Sequence, residues 1–274
     1  MKKSSLPFEK TASLDTISSL PPEGLTADEA KSQNKANLKA IYDLHYTMYA
    51  EDKQSLLIIL QGIDASGKDG SVRHLCTGLN PQGFHVYSFK TPTTEETRHD
   101  YLWRVHKVAP AHGEIVICNR SYYEEVTVVK IHPEFLVPQK ISAASGLDEI
   151  FERRYRQIND FERMLAETGT RVLKFFLHIS KKEQKKRLEE RLRNPMKKWK
   201  FSEKDVAERA FWSQYMQVFD EMLAATHTEY APWYVIPADK KWYRNYLLGQ
   251  IVRRELESFR MEFPKPKLGK VKLD

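Results

Sequence analysis

The stretch "LLIILQGIDASGKDGS", Leu56 to Ser71, constrains this chain more than any other. An apolar run suited to a buried strand passes into Gly62, four residues, then Gly67 and Lys68. A strand, a glycine-rich turn and a helix in that order present consecutive backbone N–H groups and the positive end of the helix, which predicts a bound phosphate. Gly62, Ala65, Ser66, Gly67, Lys68, Asp69 and Gly70 are the candidate phosphate contacts, with the lysine reaching an oxygen. The competing reading is an ordinary turn with a surface lysine. One position departs from the usual pattern: Asp69 and Gly70 stand where a Ser or Thr that ligates Mg²⁺ follows the lysine in common nucleotide hydrolases. Asp64, inside the loop, is the expected replacement ligand, because a hard divalent cation prefers carboxylate oxygen. Asp69 is expected chiefly to complement the helix dipole.

The rest of the chain alternates in period. Leu56–Gln61, Phe84–Phe89, Glu114–Cys118, Arg171–Ile179 and Trp233–Ile236 read as strands, separated by segments long enough for crossover helices. That order implies an α/β fold with a mainly parallel, five-stranded sheet covered on both faces. Residues 1–26, rich in Ser, Pro and Lys, read as an arm lying on the body or disordered; residues 27–263 read as one domain and 264–274 as a loose tail. Ala27–Tyr49 should be an amphipathic helix through Leu38, Ile41, Leu44 and Met48. Ser180 and Glu183 form a capping-box signal for a helix whose Leu188 and Leu192 share a buried side. Pro195 interrupts it within a basic cluster, and Ser202 should cap a second helix through Phe211, Tyr215 and Phe219. Residues 181–225 therefore resemble a helical hairpin with a cationic tip.

A net charge of +7 in 274 residues suits anionic partners without choosing among them. No apolar run approaches the roughly 20 residues of a membrane span and no signal-peptide core is present, so a soluble, cytoplasmic protein is expected. Cys76 and Cys118 offer neither a disulfide framework nor a metal spacing and read as small buried fillers, and the histidines show no zinc-binding spacing. His178 reads as a satisfied core residue.

A second constellation, "NRSYYEEV", spans Asn119 to Val126 after the third strand. Strand C-termini of a parallel sheet face the ligand crevice, so Arg120, Glu124 and Glu125 can converge there with Asp64 and Lys68. Arg120 suits bidentate phosphate contact; Glu124 and Glu125 suit a metal or a nucleobase amino group. Asp64, Lys68 and Arg120 are the candidate catalytic residues, Asn119, Tyr122 and Glu124 the candidate nucleotide contacts, and Asp64 with Glu125 the candidate metal ligands. A helix start with solvated acids is the competing reading.

These blocks, with "YLWRVHK" at Tyr101–Lys107, "KFFLHISKKEQKKRLEERL" at Lys174–Leu192 and "EYAPWYVIPADKKWYRN" at Glu229–Asn245, together resemble polyphosphate kinase family 2. The resemblance implies a three-layer P-loop kinase fold like that of thymidylate kinase, with a basic helical lid. It makes Asp64 and Lys68 the loop pair, Arg120 a phosphate ligand, and Arg187, Arg191, Lys197, Lys198 and Lys200 the lid. Asn119 replaces an Asp, and the motif resembles the subgroup that uses AMP as well as ADP; Glu125 stands where Asp is common. The implied partners are inorganic polyphosphate, AMP, ADP, ATP and guanine nucleotides, with Mg²⁺ or alternatively Mn²⁺ as cofactor. Neither nucleic acid nor membrane is an expected partner, and a homodimer or homotetramer is expected. Trp199 and Phe201 are expected either to stack on a nucleobase or to pack the hairpin. The rivals are an ATP-dependent nucleotide or metabolite kinase on the same core, and a nucleic-acid-binding module with a vestigial loop.

Overall fold

The computed structural model describes residues 7–141 and 146–266, so residues 1–6 of the arm and 267–274 of the tail lie outside it. Helix α1 spans Ala27–Glu51. Thr26 starts it: its hydroxyl accepts the Glu29 N–H at 3.3 Å while the Glu29 carboxylate accepts the Thr26 N–H at 3.0 Å. Ile41 and Met48 are buried and Leu38 and Leu44 half-buried, the stripe the spacing predicts.

Strand β1 (Ser55–Gln61) is buried along its whole length and leads through the glycine loop into α2 (Lys68–Cys76). Then follow β2 (Phe84–Ser88), the short α3 (Trp103–His106), β3 (Ile115–Asn119), α4 (Val128–Ile131), α5 (Leu147–Glu167) and β4 (Thr170–His178). The lid comprises α6 (Lys181–Arg193), α7 (Pro195–Lys198), α8 (Glu203–Glu208) and α9 (Trp212–Thr226), after which β5 (Trp233–Pro237) and α10 (Lys241–Ser258) return the chain to the core. The five strands lie in the order β2-β3-β1-β4-β5, every neighbour parallel. Each expected strand is present with bounds shifted by at most a residue or two; β1, β3, β4 and β5 are buried and read as apolar runs, whereas the edge strand β2 is half-buried to exposed.

Two layers of helix cover the sheet. Phe175 meets Tyr234, which bonds Arg254 of α10, while the next residue, Phe176, packs on Phe219 of α9. Alternate residues of β4 thus face opposite layers, with α1, α2 and α10 packed together on one side and α5 with α9 on the other. The register pairs Leu60 with Asn119 and Gln61 with Phe176, so the glycine loop leaves the sheet beside the ends of β3 and β4.

From residue 7 the arm lies on the body. Phe8 is buried and its N–H donates to the Trp233 carbonyl at 2.7 Å; Asp220 accepts from the Ser13 hydroxyl and the Leu14 N–H at 2.7 and 2.8 Å. His178 is half-buried and bonds the Ile17 carbonyl of the arm at 3.0 Å. Cys118 is buried and Cys76 half-buried.

Three lid details differ from expectation. At α6 the Ser180 hydroxyl accepts the Glu183 N–H, but Asp239 takes the Ser180 N–H at 2.8 Å, leaving the Glu183 carboxylate to Arg187. Leu192 is exposed because α6 projects beyond the core after Leu188. Ser202 caps only α8, since a 3-10 turn at Arg209–Phe211 separates α8 from α9. Among the described residues no helix is long and apolar enough to cross a membrane.

Candidate active site

The loop runs from Gly62 (φ 142°) through Ala65 (φ 63°) to Gly67 (φ 107°). A Cβ at Gly62 would stand 2.8 Å from the Leu177 backbone oxygen, so that position requires glycine on two counts; at Gly67 the positive φ requires it, and a Cβ would push the Arg244 guanidinium aside. Side chains from distant helices tie down the loop carbonyls. Gln184 donates to Asp64 O at 3.1 Å, Arg187 to Ala65 O and Ser66 O at 3.0 and 2.7 Å, and Arg244 to Gly67 O at 3.2 Å.

Arg187 was expected on a phosphate. Instead its guanidinium is buried and its remaining donors go to Glu183, Ala238 O and Asp239 O, so it clamps the loop. Arg244 was not anticipated. It lies against Gly67 and Gly70, and burial together with Arg187 and Arg73 brings its pKa down to about 10. A buried cation whose charged neighbours are cations, on the wall of the loop's pocket, is a candidate anion contact. Only the assembled fold shows this, because the residue is 177 positions from the carbonyl it holds.

Lys68 opens α2, and its ammonium donates to the carbonyls of Gly62 and Ile63. Burial lowers its pKa, opposed by the Asp64 charge. Arg120 follows β3 in the left-handed region, φ 67°, and its Nη2 donates to Asp64 Oδ1 at 3.0 Å. Burial alone would lower the Arg120 pKa; the carboxylates of Glu124, Asp64, Asp205 and Asp69 more than offset it. Burial raises the Glu124 pKa against the pull of Arg120 and Lys68. Asp64, Lys68, Arg120 and Glu124 are thus brought together.

Glu125 is not part of that group. Its carboxylate accepts from Gln139 at 2.8 Å and from the buried Arg154 at 3.1 Å. Tyr122–Val126 forms a 3-10 turn, in which successive side chains diverge by about 120°, so Glu124 and Glu125 face different surroundings. The expected pair Asp64 and Glu125 gives way to Asp64 and Glu124. Tyr122 likewise turns its hydroxyl inward, onto Glu162 at 2.7 Å. Asn119 donates to Asp69 Oδ1 at 2.9 Å, and Lys200 reaches Asp69 Oδ2 at 2.5 Å. Burial works against ionisation of Asp69, but these two bonds win and hold its carboxyl at about 2. The unusual carboxylate therefore ties the loop helix to β3 and to the lid. Elsewhere in the lid Arg191 pairs with Asp205 at 2.8 Å, Lys197 pairs with Glu190 at 2.5 Å, and Lys198 is exposed. The Trp199 ring is 77% exposed and does not pack the hairpin.

Two chambers meet at Arg120. One, of about 520 Å³, is lined by Phe89, Tyr101, Arg104, Phe135 and Gln139, and by Glu124 and Glu125. Its Arg104 crosses the Phe89 ring at 4.9 Å and keeps one buried guanidinium nitrogen, Nε, without a protein partner. The other, of about 740 Å³, is lined by the glycine loop with Arg73, Lys197, Lys200 and Arg244. A pocket of about 50 Å³ containing Asp64, Lys68 and Glu124 shares Arg120 with both.

Among the described residues no three His, Cys, Asp or Glu side chains are grouped to cage a metal. The two carboxylates Asp64 and Glu124 still fit Mg²⁺, which typically takes one or two carboxylates and completes its shell with water and substrate phosphate.

A glycine loop on the central strand of this parallel sheet, beneath a basic helical lid, defines a P-loop phosphotransferase. The chain belongs to the polyphosphate kinase 2 family, whose model matches residues 24–264. It is 45% identical over 257 residues, 92% of each chain, to the AMP/ADP-polyphosphate phosphotransferase of Meiothermus ruber. It is 41% identical to the ADP-polyphosphate phosphotransferase of Rhodopseudomonas palustris, over 84% of this chain and 80% of that one. The crystal structure of polyphosphate kinase 2 from Arthrobacter aurescens superposes with a TM-score of 0.88 at 38% identity, covering 96% of this chain and 92% of that one.

Proposed function

We propose that this enzyme moves phosphoryl groups reversibly between inorganic polyphosphate and the adenine nucleotides AMP, ADP and ATP. The observation that carries the reading is the position of Arg120, on the wall of an aromatic chamber and of a cationic one, with Lys68 and Asp64 at the junction. A nucleoside suits the chamber of Phe89, Tyr101 and Phe135, with its terminal phosphate toward Arg120. A polyanion without base or sugar suits the chamber of Arg73, Lys200 and Arg244.

The acceptor phosphate has a second pKa near ~6 and is already ionised at neutral pH, so no strong general base is required. Alignment and neutralisation of anionic oxygens do the chemistry. Lys68 and Arg120 hold the transferring phosphate, and the clamped loop carbonyls fix the backbone N–H groups around it. Asp64 and Glu124 would hold Mg²⁺, which when bound supplies positive charge at the phosphate oxygens. Glu125, Gln139 and Arg104 line the nucleoside chamber, where they would bear on the choice between adenine and guanine. Self-association as a homodimer or homotetramer is proposed from the resemblance alone.

The test is incubation with polyphosphate and Mg²⁺, without added ATP, against AMP, ADP, GMP and GDP separately. ADP and ATP are the expected products from the adenine acceptors; no phosphorylated product from any acceptor would overturn the reading. Replacing Lys197, Lys198 and Lys200 together by Ala is expected to raise KM for the polymer roughly tenfold while changing kcat by less than about threefold, as loss of uniform binding does. An unchanged polymer KM would remove the lid lysines from the polymer's path.

A further inference from the structure

Beneath the turn that carries Arg120 and Glu124 lies a buried ionic network; of its members only Tyr122 also lines the nucleoside chamber, and its hydroxyl points away from that chamber, onto Glu162. Lys174 of β4 and Glu162 of α5 pair at 2.6 Å with both side chains 0% exposed. The ammonium places its three protons on Glu162 Oε2, the Tyr123 hydroxyl at 2.9 Å and the Thr226 carbonyl at 2.7 Å. Glu162 Oε1 accepts from both the Tyr122 and Tyr123 hydroxyls at 2.7 Å. Every proton of the ammonium is used and both carboxylate oxygens are occupied, and a network so satisfied rigidifies what it joins.

It joins the parts of the site that must agree. Tyr122 and Tyr123 sit between Arg120 and Glu124 in the chain, and Thr226 ends α9, the last helix of the lid. Trp233 of β5 closes the cluster, its ring 4.8 Å from Tyr123 and its indole N–H on the Thr226 hydroxyl at 2.9 Å. Arg120 holds a left-handed backbone, which for a residue with a side chain persists only where the surroundings over-determine it. Ser121, bonded by Gln61 at 3.3 Å and by the Tyr123 N–H at 3.2 Å, fixes the turn from one side; the tyrosine hydroxyls fix it from below. Stability alone does not explain such a cluster, because well-packed apolar groups in place of a buried ion pair are commonly as stabilising or more so.

We infer that Lys174, Glu162, Tyr122 and Tyr123 are positioning residues for phosphoryl transfer: they hold Arg120 and Glu124 in register with the base of the lid. The inference rests on the proposed activity for its kinetic readout, and a structural readout stands independently of it.

The experiment is the Tyr122→Phe, Tyr123→Phe double variant, which keeps both rings and removes both hydroxyls. With wild-type enzyme active in the same assay, kcat of the folded variant is expected to fall about 10- to 100-fold, the scale of a small misplacement of catalytic groups, with little change in either KM; the melting temperature is expected to fall as well, because Glu162 Oε1 and one Lys174 proton lose buried partners. A normal kcat, or a fall in melting temperature with normal kcat in the folded protein, would overturn the inference. Wild-type enzyme inactive with every acceptor would instead remove the proposed function. In that event a crystal structure of the variant decides: Arg120 displaced from its left-handed backbone or parted from Asp64 supports the network's role, and an unmoved Arg120 refutes it. Should the double variant not fold, Tyr122→Phe alone is carried through the same measurements, with a smaller loss of kcat expected and the same unmoved Arg120 and normal kcat refuting.

Discussion

Lys68→Ala is expected to lower kcat by roughly 100-fold or more, about 2.7 kcal/mol of transition-state stabilisation, with the fold retained. The ammonium is half-buried at the first turn of α2, among Asp64, Arg120 and Glu124, where a fixed charge is screened less than in open water. Its removal takes away the cation that the proposed mechanism places on the transferring phosphate. Its bonds to Gly62 and Ile63 are also lost, but Gln184, Arg187 and Arg244 still hold the loop carbonyls, so the effect should appear in turnover and not in unfolding. Steady-state kinetics at saturating polymer and nucleotide, beside thermal melting, provide the check. Turnover within about threefold of wild type would contradict the role given to Lys68.

The largest stability effect is expected from Lys174→Met, at about 3–5 kcal/mol, because it strands the Glu162 carboxylate in a fully buried site with only two tyrosine donors. Burial lowers the Lys174 pKa and Glu162 opposes that shift, so the pair depends on both partners. Adding Glu162→Leu removes the stranded charge, and the double variant is expected to regain much of the lost stability. Denaturant midpoints of the two variants test this. A double variant no more stable than Lys174→Met alone would show that packing, not an uncompensated charge, governs the site.

The sheet was legible because four of its strands are buried and read as apolar runs, with β2 at the edge the exception, and the loop because glycine spacing reports backbone geometry directly. Asp64, Lys68, Arg120 and Glu124 converge because parallel topology gathers strand C-termini at one edge. What escaped the sequence depends on contacts between distant segments. No local pattern distinguishes Arg187, spent on loop carbonyls, from Arg191 one turn later, which faces Asp205. Arg244 carries no motif of its own, and its meaning comes from Gly67 and Gly70 beneath it. Glu124 and Glu125 are adjacent acids whose separate fates follow from a 3-10 turn and from Arg154, a residue 29 positions away. Asp69 looked like a dipole partner because Lys200, 131 residues on, reaches it only in the folded protein. The aromatic chamber is built from loops and from helical turns too short to carry a periodic signal.

In the proposed mechanism nucleotide and polymer approach from opposite chambers and meet at Lys68 and Arg120. The most direct measurement is a crystal structure with a bisubstrate analogue, adenosine bearing an extended chain of phosphates. The adenosine is expected among Phe89, Tyr101 and Phe135, with the phosphates passing Lys68 and Arg120 toward Arg73, Lys200 and Arg244. Adenosine bound on the lid side, or a phosphate chain that bypasses the glycine loop, would contradict it.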